Sequence, residues 1–309
     1  MNAPVLDRVP VTVAVVVTYR PDADRLIEGL RAILPQVDEV VVVDNGSDAT
    51  VLDDIAAMPR VSVIKLSSNF GIAWAQNRGI EKARELQAAY VLLLDQDSVA
   101  GPEMVDRLRT ACEALVSAGE RVGAVGPALL DGLSPASPRF TMFRWGRYMQ
   151  VDAPPGARSA PCDMLIASGT LMPTAALDAI GPMDEGLFID KVDTEWCLRA
   201  WRCGFRLFGV PGAQLHHRLG ESVLTVRWWR NKRLPVHKPF RYYYMVRNSV
   251  LLQRARRMRW AWRAADFTQT AQIVLFHGLL APDARLNRAM ILRGLQDGLR
   301  SVTGPMPSR

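Results

Sequence analysis

Asp95 and Asp97 stand one residue apart directly after the apolar run Tyr90-Val91-Leu92-Leu93-Leu94. Two acids leaving a buried strand together are costly unless a cation or a hydrogen-bond donor neutralises them. A hard divalent cation, Mg²⁺ or Mn²⁺, would do so through oxygen while bridging a diphosphate, although Asp is also common wherever a strand simply turns. A second acidic pair, Asp193 and Glu195, lies in Phe188-Ile189-Asp190-Lys191-Val192-Asp193-Thr194-Glu195-Trp196-Cys197-Leu198-Arg199, where the pattern predicts a helix beginning near Asp193 and stopping at Gly204. A carboxylate there can cap the helix or serve as a rigid general base toward a substrate hydroxyl, and the two roles are compatible. His216-His217 follows the apolar segment Phe208 to Leu215. Adjacent histidines point apart on most backbones, so at most one of them would join a metal site; a solvated or satisfied histidine is the plainer reading. No HExxH motif or Cys/His cluster accompanies them, which argues against structural zinc.

The elements that must position these groups are legible from Val11 to about Val125. Short β-branched runs alternate there with amphipathic stretches, the pattern of helices packed on a largely parallel sheet. Expected strands are Val11 to Thr18, Val40 to Val43, Val61 to Leu66, Tyr90 to Leu94 and Val122 to Val125. Between them Leu26, Leu30, Ile33 and Leu34 recur at helical spacing after Asp22, a capping type, and Ile72, Ile80, Ala83 and Leu86 do so after Gly71. The result is a Rossmann-like half-fold, in which ligands bind beyond the carboxyl ends of the strands. The residues at those ends are polar: Thr18-Tyr19-Arg20-Pro21, Asp44-Asn45-Gly46-Ser47, Ser68-Asn69-Phe70-Gly71 and Asp95-Gln96-Asp97-Ser98. No GxGxxG or GxxxxGK[ST] fingerprint follows any strand, so a bound phosphate must be neutralised in another way.

A chain of 309 residues, 49% hydrophobic, can bury a substantial core, which excludes a disordered protein. The uninterrupted apolar runs, such as Val13 to Val17, fall far short of the roughly 20 residues that cross a bilayer. Four cysteines without a CxxC pair, and no leader pattern at the N-terminus, favour the cytoplasm. The net charge of +7 hides an asymmetry: Arg227 to Arg263 holds 12 Lys/Arg and no Asp/Glu. That segment also carries Trp228-Trp229 and Tyr242-Tyr243-Tyr244. Basic and aromatic residues interleaved in this way suit a helix lying on an anionic membrane surface; a solvated face with some aromatics in the core is the alternative. Nucleic acid is the rival partner of a different class, but it would leave the acids after the strands unexplained. The expected organisation is a catalytic domain over residues 1–222 and a helical, basic extension over 223–309.

Taken in order, these motifs resemble the inverting glycosyltransferases of family two, with a GT-A fold, and within them the bacterial rhamnosyltransferases that use dTDP-L-rhamnose. The resemblance is carried by Val17-Thr18-Tyr19-Arg20-Pro21-Asp22, Val41-Val42-Val43-Asp44-Asn45-Gly46-Ser47, Asn69-Phe70-Gly71-Ile72-Ala73-Trp74-Ala75-Gln76-Asn77-Arg78-Gly79-Ile80, Leu93-Leu94-Asp95-Gln96-Asp97-Ser98, Val192-Asp193-Thr194-Glu195-Trp196 and His217-Arg218-Leu219-Gly220. It implies that Thr18 and Asp44 meet the nucleotide base and that Tyr19, Asn69, Gly71, Gln76, Asn77 and Arg78 help bind the donor. Asp95 would lie near the ribose or the metal-bound phosphates. Asp97 would bind the divalent metal, with His217 as a further contact to metal or diphosphate. Asp193 would be the base, with Glu195 beside it shaping the acceptor site. Where many family members carry two acids, this chain has Val192-Asp193, so only Asp193 can be that motif's base. The implied reaction moves L-rhamnose to a hydroxyl of a glycan, free or lipid-linked, in cell-surface polysaccharide synthesis, with the enzyme peripheral on the inner face of the cytoplasmic membrane.

Overall fold

The computed structural model describes residues 10–47, 50–130, 138–216, 222–227, 231–255, 258–281 and 283–308. Its first half is the expected alternation. Strands β1 (Thr12–Thr18), β2 (Glu39–Asp44), β3 (Val61–Lys65) and β4 (Tyr90–Asp95) are interleaved with helices α1 (Ala23–Ile33), α2 (Val51–Ala56) and α3 (Ile72–Glu85). The short β5 (Val99–Ala100), helix α4 (Met104–Ser117) and β6 (Val122–Leu130) follow. Next come a hairpin of β7 (Arg139–Arg144) and β8 (Arg147–Asp152), two short strands β9 (Ala160–Cys162) and β10 (Leu171–Pro173), and helices α5 (Thr174–Ile180) and α6 (Val192–Arg202). Strand β11 (Arg206–His216), a second hairpin of β12 (Ser222–Arg227) and β13 (Asn231–Val236), and helices α7 (Pro239–Arg254), α8 (Trp260–Leu275) and α9 (Ala284–Leu299) complete the chain.

The main sheet has the order β3-β2-β1-β4-β10-β6-β11-β5, with β9 on β11. β1 to β4 are parallel, with Thr18 opposite Asp44 and Val17 opposite Asp95, so these polar ends share one edge. The chain leaves β1 for β2 and β3 on one side and returns to β4 on the other, which makes this edge a topological switch point. Beyond β4 the sheet turns mixed, because β10 runs antiparallel to both β4 and β6.

Period-two alternation explains why both faces are covered. Val13, Val15, Val41, Val43, Val91 and Leu93 join one core with α3, α5 and α6, while Ala14, Val16, Val40, Val42, Leu92 and Leu94 join the other with α1 and α4. Each such Val or Leu side chain contributes about 1.5–3 kcal/mol when fully buried. α1 begins as its sequence indicates, with the Asp22 carboxylate accepting from the Arg25 amide. α3 lies directly on β1, since a Cβ at Gly79 would stand 2.1 Å from a Val15 methyl. That closeness fixes the start of α3 beside the polar edge.

The C-terminal helices depart from the surface reading. Tyr242, Tyr243, Tyr244 and Trp262 are buried, and Arg247 is fully enclosed. Tyr242 to Tyr244 therefore belong to the core, not to a membrane interface, because α7 packs against α9 and against the turn preceding α6. Trp228 and Trp229 lie outside the described residues. Among the described residues no helix is long and apolar enough to cross a membrane.

Candidate active site

Side chains at the edge of β1 and β2 lock one another. Thr18 Oγ1 donates to Asp44 Oδ1 at 2.9 Å, and the Ser47 hydroxyl and amide donate to Asp44 at 2.7 and 2.6 Å. Ser47 Oγ in turn accepts from the Arg20 amide, and the Tyr19 amide donates to Gln96 Oε1 at 2.7 Å. Asp44 is 1% exposed, so this network is rigid. Asn45 Oδ1 receives the Phe70 amide and Asn69 Oδ1 the Gly71 amide, which turns the chain into α3. Gly71 has φ +95°, and a Cβ there would stand 2.5 Å from the Phe188 carbonyl oxygen, so only glycine fits. The structure thus brings Thr18, Tyr19, Asp44, Asn69 and Gly71 together along one edge.

Asp95 closes β4, and its amide donates to Ser168 Oγ at 3.3 Å. Ser168 Oγ also shares a 2.6 Å hydrogen bond with Ser98 Oγ, so the buried hydroxyl of Ser168 pins the turn that holds Asp97 from both sides. β5 continues from this turn and pairs with the end of β11, Val99 opposite His216. His216 is therefore brought to the acidic turn; His217, the expected metal or diphosphate contact, lies outside the described residues. Among the described residues no three His, Cys, Asp or Glu side chains form a cluster.

Three neighbours on α3 have different fates. Gln76 is 3% exposed and its Oε1 lacks a partner among the described residues, a cost of about 1–3 kcal/mol unless a ligand supplies a donor. Asn77 spends its amide on the chain: Nδ2 donates to Met183 O and Glu185 Oε1, and Oδ1 accepts from the Met183 amide. Arg78 pairs with Glu81 at 3.0 Å and lies over the Trp74 ring. Of these two, both expected in the donor cleft, Asn77 thus ties α3 to the segment at 183–185, while Arg78 is engaged within α3 itself.

The helix carrying Asp193 starts one residue earlier than expected. Lys191 occupies the cap position and Asp193 sits inside the first turn, its Oδ1 accepting from the Thr194 amide at 2.7 Å. Burial pushes the Asp193 carboxyl above the ordinary value; Asp190 adds to the rise, and the Thr194 amide and Lys191 oppose it. A half-buried carboxylate that resists ionisation is a basic one, as a proton acceptor must be. Asp193 borders a small hollow with Leu93, Ile166 and Thr170; the last two also line a chamber of about 480 Å³ beneath α7 and α8. That chamber includes Ser168, Thr194, Asp190 and Lys191 as well as Arg139, Gln150, Gln269 and Gln272, polar groups suited to hydroxyls. Glu195 faces elsewhere. Residues two apart on a helix do not share a face, and Glu195 is held by Arg199 at 2.8 Å, whose guanidinium also donates to Ile180 O and Pro182 O. The geometry therefore gives Glu195 to this internal pair and not to the chamber.

The turn before Asp193 is strained: Phe188, Asp190 and Lys191 all have φ near +60°, at 65°, 63° and 62°, each costing about 1–3 kcal/mol in a residue other than glycine. Ion pairs hold it, Arg241 with Asp190 and Lys191 with the fully buried Asp266. Ser168, Arg241, Arg247, Asn248 and Asp266 thus shape the site without having been singled out from sequence. Small residues in Ala167-Ser168-Gly169-Thr170 were a signal for a close-packed loop; nothing local marks the others.

Carboxylates and hydroxyls gathered at the switch point of a parallel sheet define a ligand-binding α/β protein. Residues 13–132 match the model of Glycosyl transferase family 2. The chain is 30% identical over 300 residues to dTDP-rhamnosyl transferase RfbF of Shigella flexneri, covering 94% of this chain and 96% of that protein. It is 36% identical over 141 residues to succinoglycan biosynthesis protein ExoO of Rhizobium meliloti (strain 1021), 43% of this chain and 38% of that one. Solved structures share the fold: GalNAc-T7 with UDP, GalNAc and Mn²⁺ superposes with TM-score 0.58 at 15% identity over 87% of this chain and 55% of that one. S. aureus TarS 1-349 gives 0.56 at 17% over 94% and 81%, and its complex with UDP-GlcNAc 0.54 at 16%. The chain belongs to glycosyl transferase family 2, and its fold is GT-A.

Proposed function

We propose that this glycosyltransferase moves L-rhamnose from dTDP-L-rhamnose to a glycan hydroxyl by a single inverting displacement. The observation that carries the sugar is the likeness to a dTDP-rhamnosyl transferase across 94% of the chain, a span that includes the base helix and the C-terminal helices. Thr18 and Asp44 bind the nucleotide base, and Tyr19, Asn69, Gly71 and the Gln76 oxygen, unpartnered among the described residues, line the donor cleft. Asp95 and Asp97 present hard oxygen donors at a strand end. This fits Mg²⁺ or Mn²⁺, because such ions are held by one or two carboxylates together with phosphate oxygens. Asp95, Asp97 and His217 would hold the ion, which when bound neutralises charge on the departing diphosphate.

Asp193 takes the proton from the acceptor hydroxyl as the oxygen attacks the anomeric carbon. The bond to the diphosphate breaks as the new glycosidic bond forms, so configuration inverts with no covalent enzyme intermediate. The chamber beside Thr194 holds the acceptor glycan, in a volume typical of small-molecule sites. Residues 223–309 form an extension docked on the catalytic domain. Its outer face exposes Phe267, Leu275, Leu279, Leu280, Leu286, Leu292 and Leu299 beside the exposed Arg285, Arg288 and Arg300. That mixture supports peripheral binding to an anionic cytoplasmic membrane, with a lipid-linked acceptor. Calorimetry with a donor panel tests the sugar: dTDP-L-rhamnose should bind more tightly than UDP-glucose or UDP-N-acetylglucosamine, and preference for a UDP-hexose would remove the rhamnosyl assignment while leaving the enzyme class.

A further inference from the structure

The turn that launches α6 has a buried clamp behind it. Asn248 Nδ2 lies within 2.9, 2.8 and 2.8 Å of the carbonyl oxygens of Leu187, Ile189 and Asp190, all in the turn that precedes α6. Its own oxygen accepts from Arg247 Nε at 2.9 Å, which fixes which end of the amide points at the turn. Arg247 extends the grip to Gly186 O, Leu187 O and Gly304 O, and its guanidinium lies over the Tyr243 and Tyr244 rings. Neither residue is exposed; Asn248 spends its amide donors on backbone, and Arg247 divides its own between backbone and the Asn248 oxygen. On the far side of the same turn, Phe188 O accepts from the Ile72 amide at 2.7 Å and the Phe188 ring stacks on Tyr244. The turn therefore joins the start of α3, at the donor edge, to the start of α6, at Asp193.

We infer that Asn248, oriented by Arg247, is a positioning residue for catalysis: its amide, shared among the three carbonyls, holds Phe188, Asp190 and Lys191 at positive φ and so sets the place of Asp193 relative to the donor. The inference rests on Asp193 being the base. Left-handed backbone at Phe188, Asp190 and Lys191 persists only while the surroundings impose it. With the clamp removed, the turn relaxes toward ordinary conformations and the first turn of α6 moves with it. A misplacement near 1 Å lowers turnover by about 10²-fold, while Thr18, Asp44 and the acidic turn, held by bonds of their own, keep the donor.

The test uses the full-length protein. Asn248→Ala should lower kcat by about 10²-fold with donor Kd within a few-fold of wild type, and Asn248→Gln, which keeps the amide donors, should recover part of the loss. Ile291→Ala loosens the same helical layer against Tyr242 and Val246 without touching the turn; it should melt earlier and turn over normally. In an Asp193→Asn background, Asn248→Ala should change kcat little further, because both act through one proton transfer. If Asn248→Ala fails to fold, Asn248→Ser, which keeps one donor, carries the same comparison. A variant that loses only stability, or a loss that multiplies in full with that of Asp193→Asn, overturns the inference. A slow Asp193→Asn beside an unimpaired Asn248→Ala removes the clamp alone; a fully active Asp193→Asn removes the base assignment and the clamp with it.

Discussion

Replacing Asp193 by Asn changes one oxygen for nitrogen and separates chemistry from structure. The amide oxygen can still accept from the Thr194 amide, as Asp193 Oδ1 does at 2.7 Å, so the helix start survives. What disappears is the proton acceptor. General-base catalysis contributes about 10²–10⁴-fold, or about 2.7–5.4 kcal/mol of barrier at 1.36 kcal/mol per decade, and kcat should fall by at least the lower figure while donor affinity holds. Stability should move the other way. Folding raises this carboxyl above its unfolded value through burial first and Asp190 second. Its contribution to stability is therefore fully present below the unfolded value near pH 4 and is lost as pH climbs through the folded one. An asparagine has no charge to bury, so the melting temperature of Asp193→Asn relative to wild type should rise from pH 4 toward neutrality. The acidic limb of the wild-type kcat profile should likewise lie above an ordinary aspartate's. Stopped transfer assays and melting scans across pH measure both. A variant within a few-fold of wild type in kcat, or a melting difference that is flat or falls with pH, would refute the reasoning.

Three further outcomes are expected. Asp97→Ala, like excess EDTA, should abolish transfer with the fold intact by circular dichroism; full activity in either would remove the metal role. Gly79→Ala should destabilise the protein by about 1–3 kcal/mol through overpacking against Val15, seen as a lower urea midpoint, and an unchanged midpoint would show that α3 does not rest on β1 as closely as described. Replacing Phe267, Leu275 and Leu279 by Ser should release the protein from anionic vesicles yet leave turnover of a short soluble acceptor within a few-fold, whereas undiminished sedimentation of the variant would dismiss that face as the membrane contact.

The parallel half of the fold was legible because its signals are local. Val13 to Val17 and Val40 to Val43 are long enough and branched enough to read as strands, Asp22 caps as its type suggests, and the polar ends follow from strand register alone. The helix at Asp193 was legible, but not the place of Asp193 inside its first turn, because the left-handed cap at Lys191 is imposed from outside. Glu195 and Asn77 show the limit of motif spacing: each occurs at a place the family pattern marks, yet Glu195 is spent on Arg199 one helical turn on and Asn77 on residues more than 100 positions along the chain. Tyr242-Tyr243-Tyr244 and Arg247 illustrate a different one. Their composition suits a membrane surface equally well, and only the packing of α7 on α9 and on the turn at 186–191 decides that they are interior. Asn248 lies about 60 residues from the carbonyls it serves, a pairing that no periodicity records.

The central claim meets its most direct measurement in the nucleoside diphosphate released when the protein is given each of a panel of sugar nucleotides with a glycan acceptor and Mg²⁺ or Mn²⁺. Release of dTDP from dTDP-L-rhamnose, lost on chelation and lost in Asp193→Asn, is the expected result. Release of UDP from a UDP-hexose in preference, or dTDP release that survives both chelation and the Asp193 substitution, would contradict it.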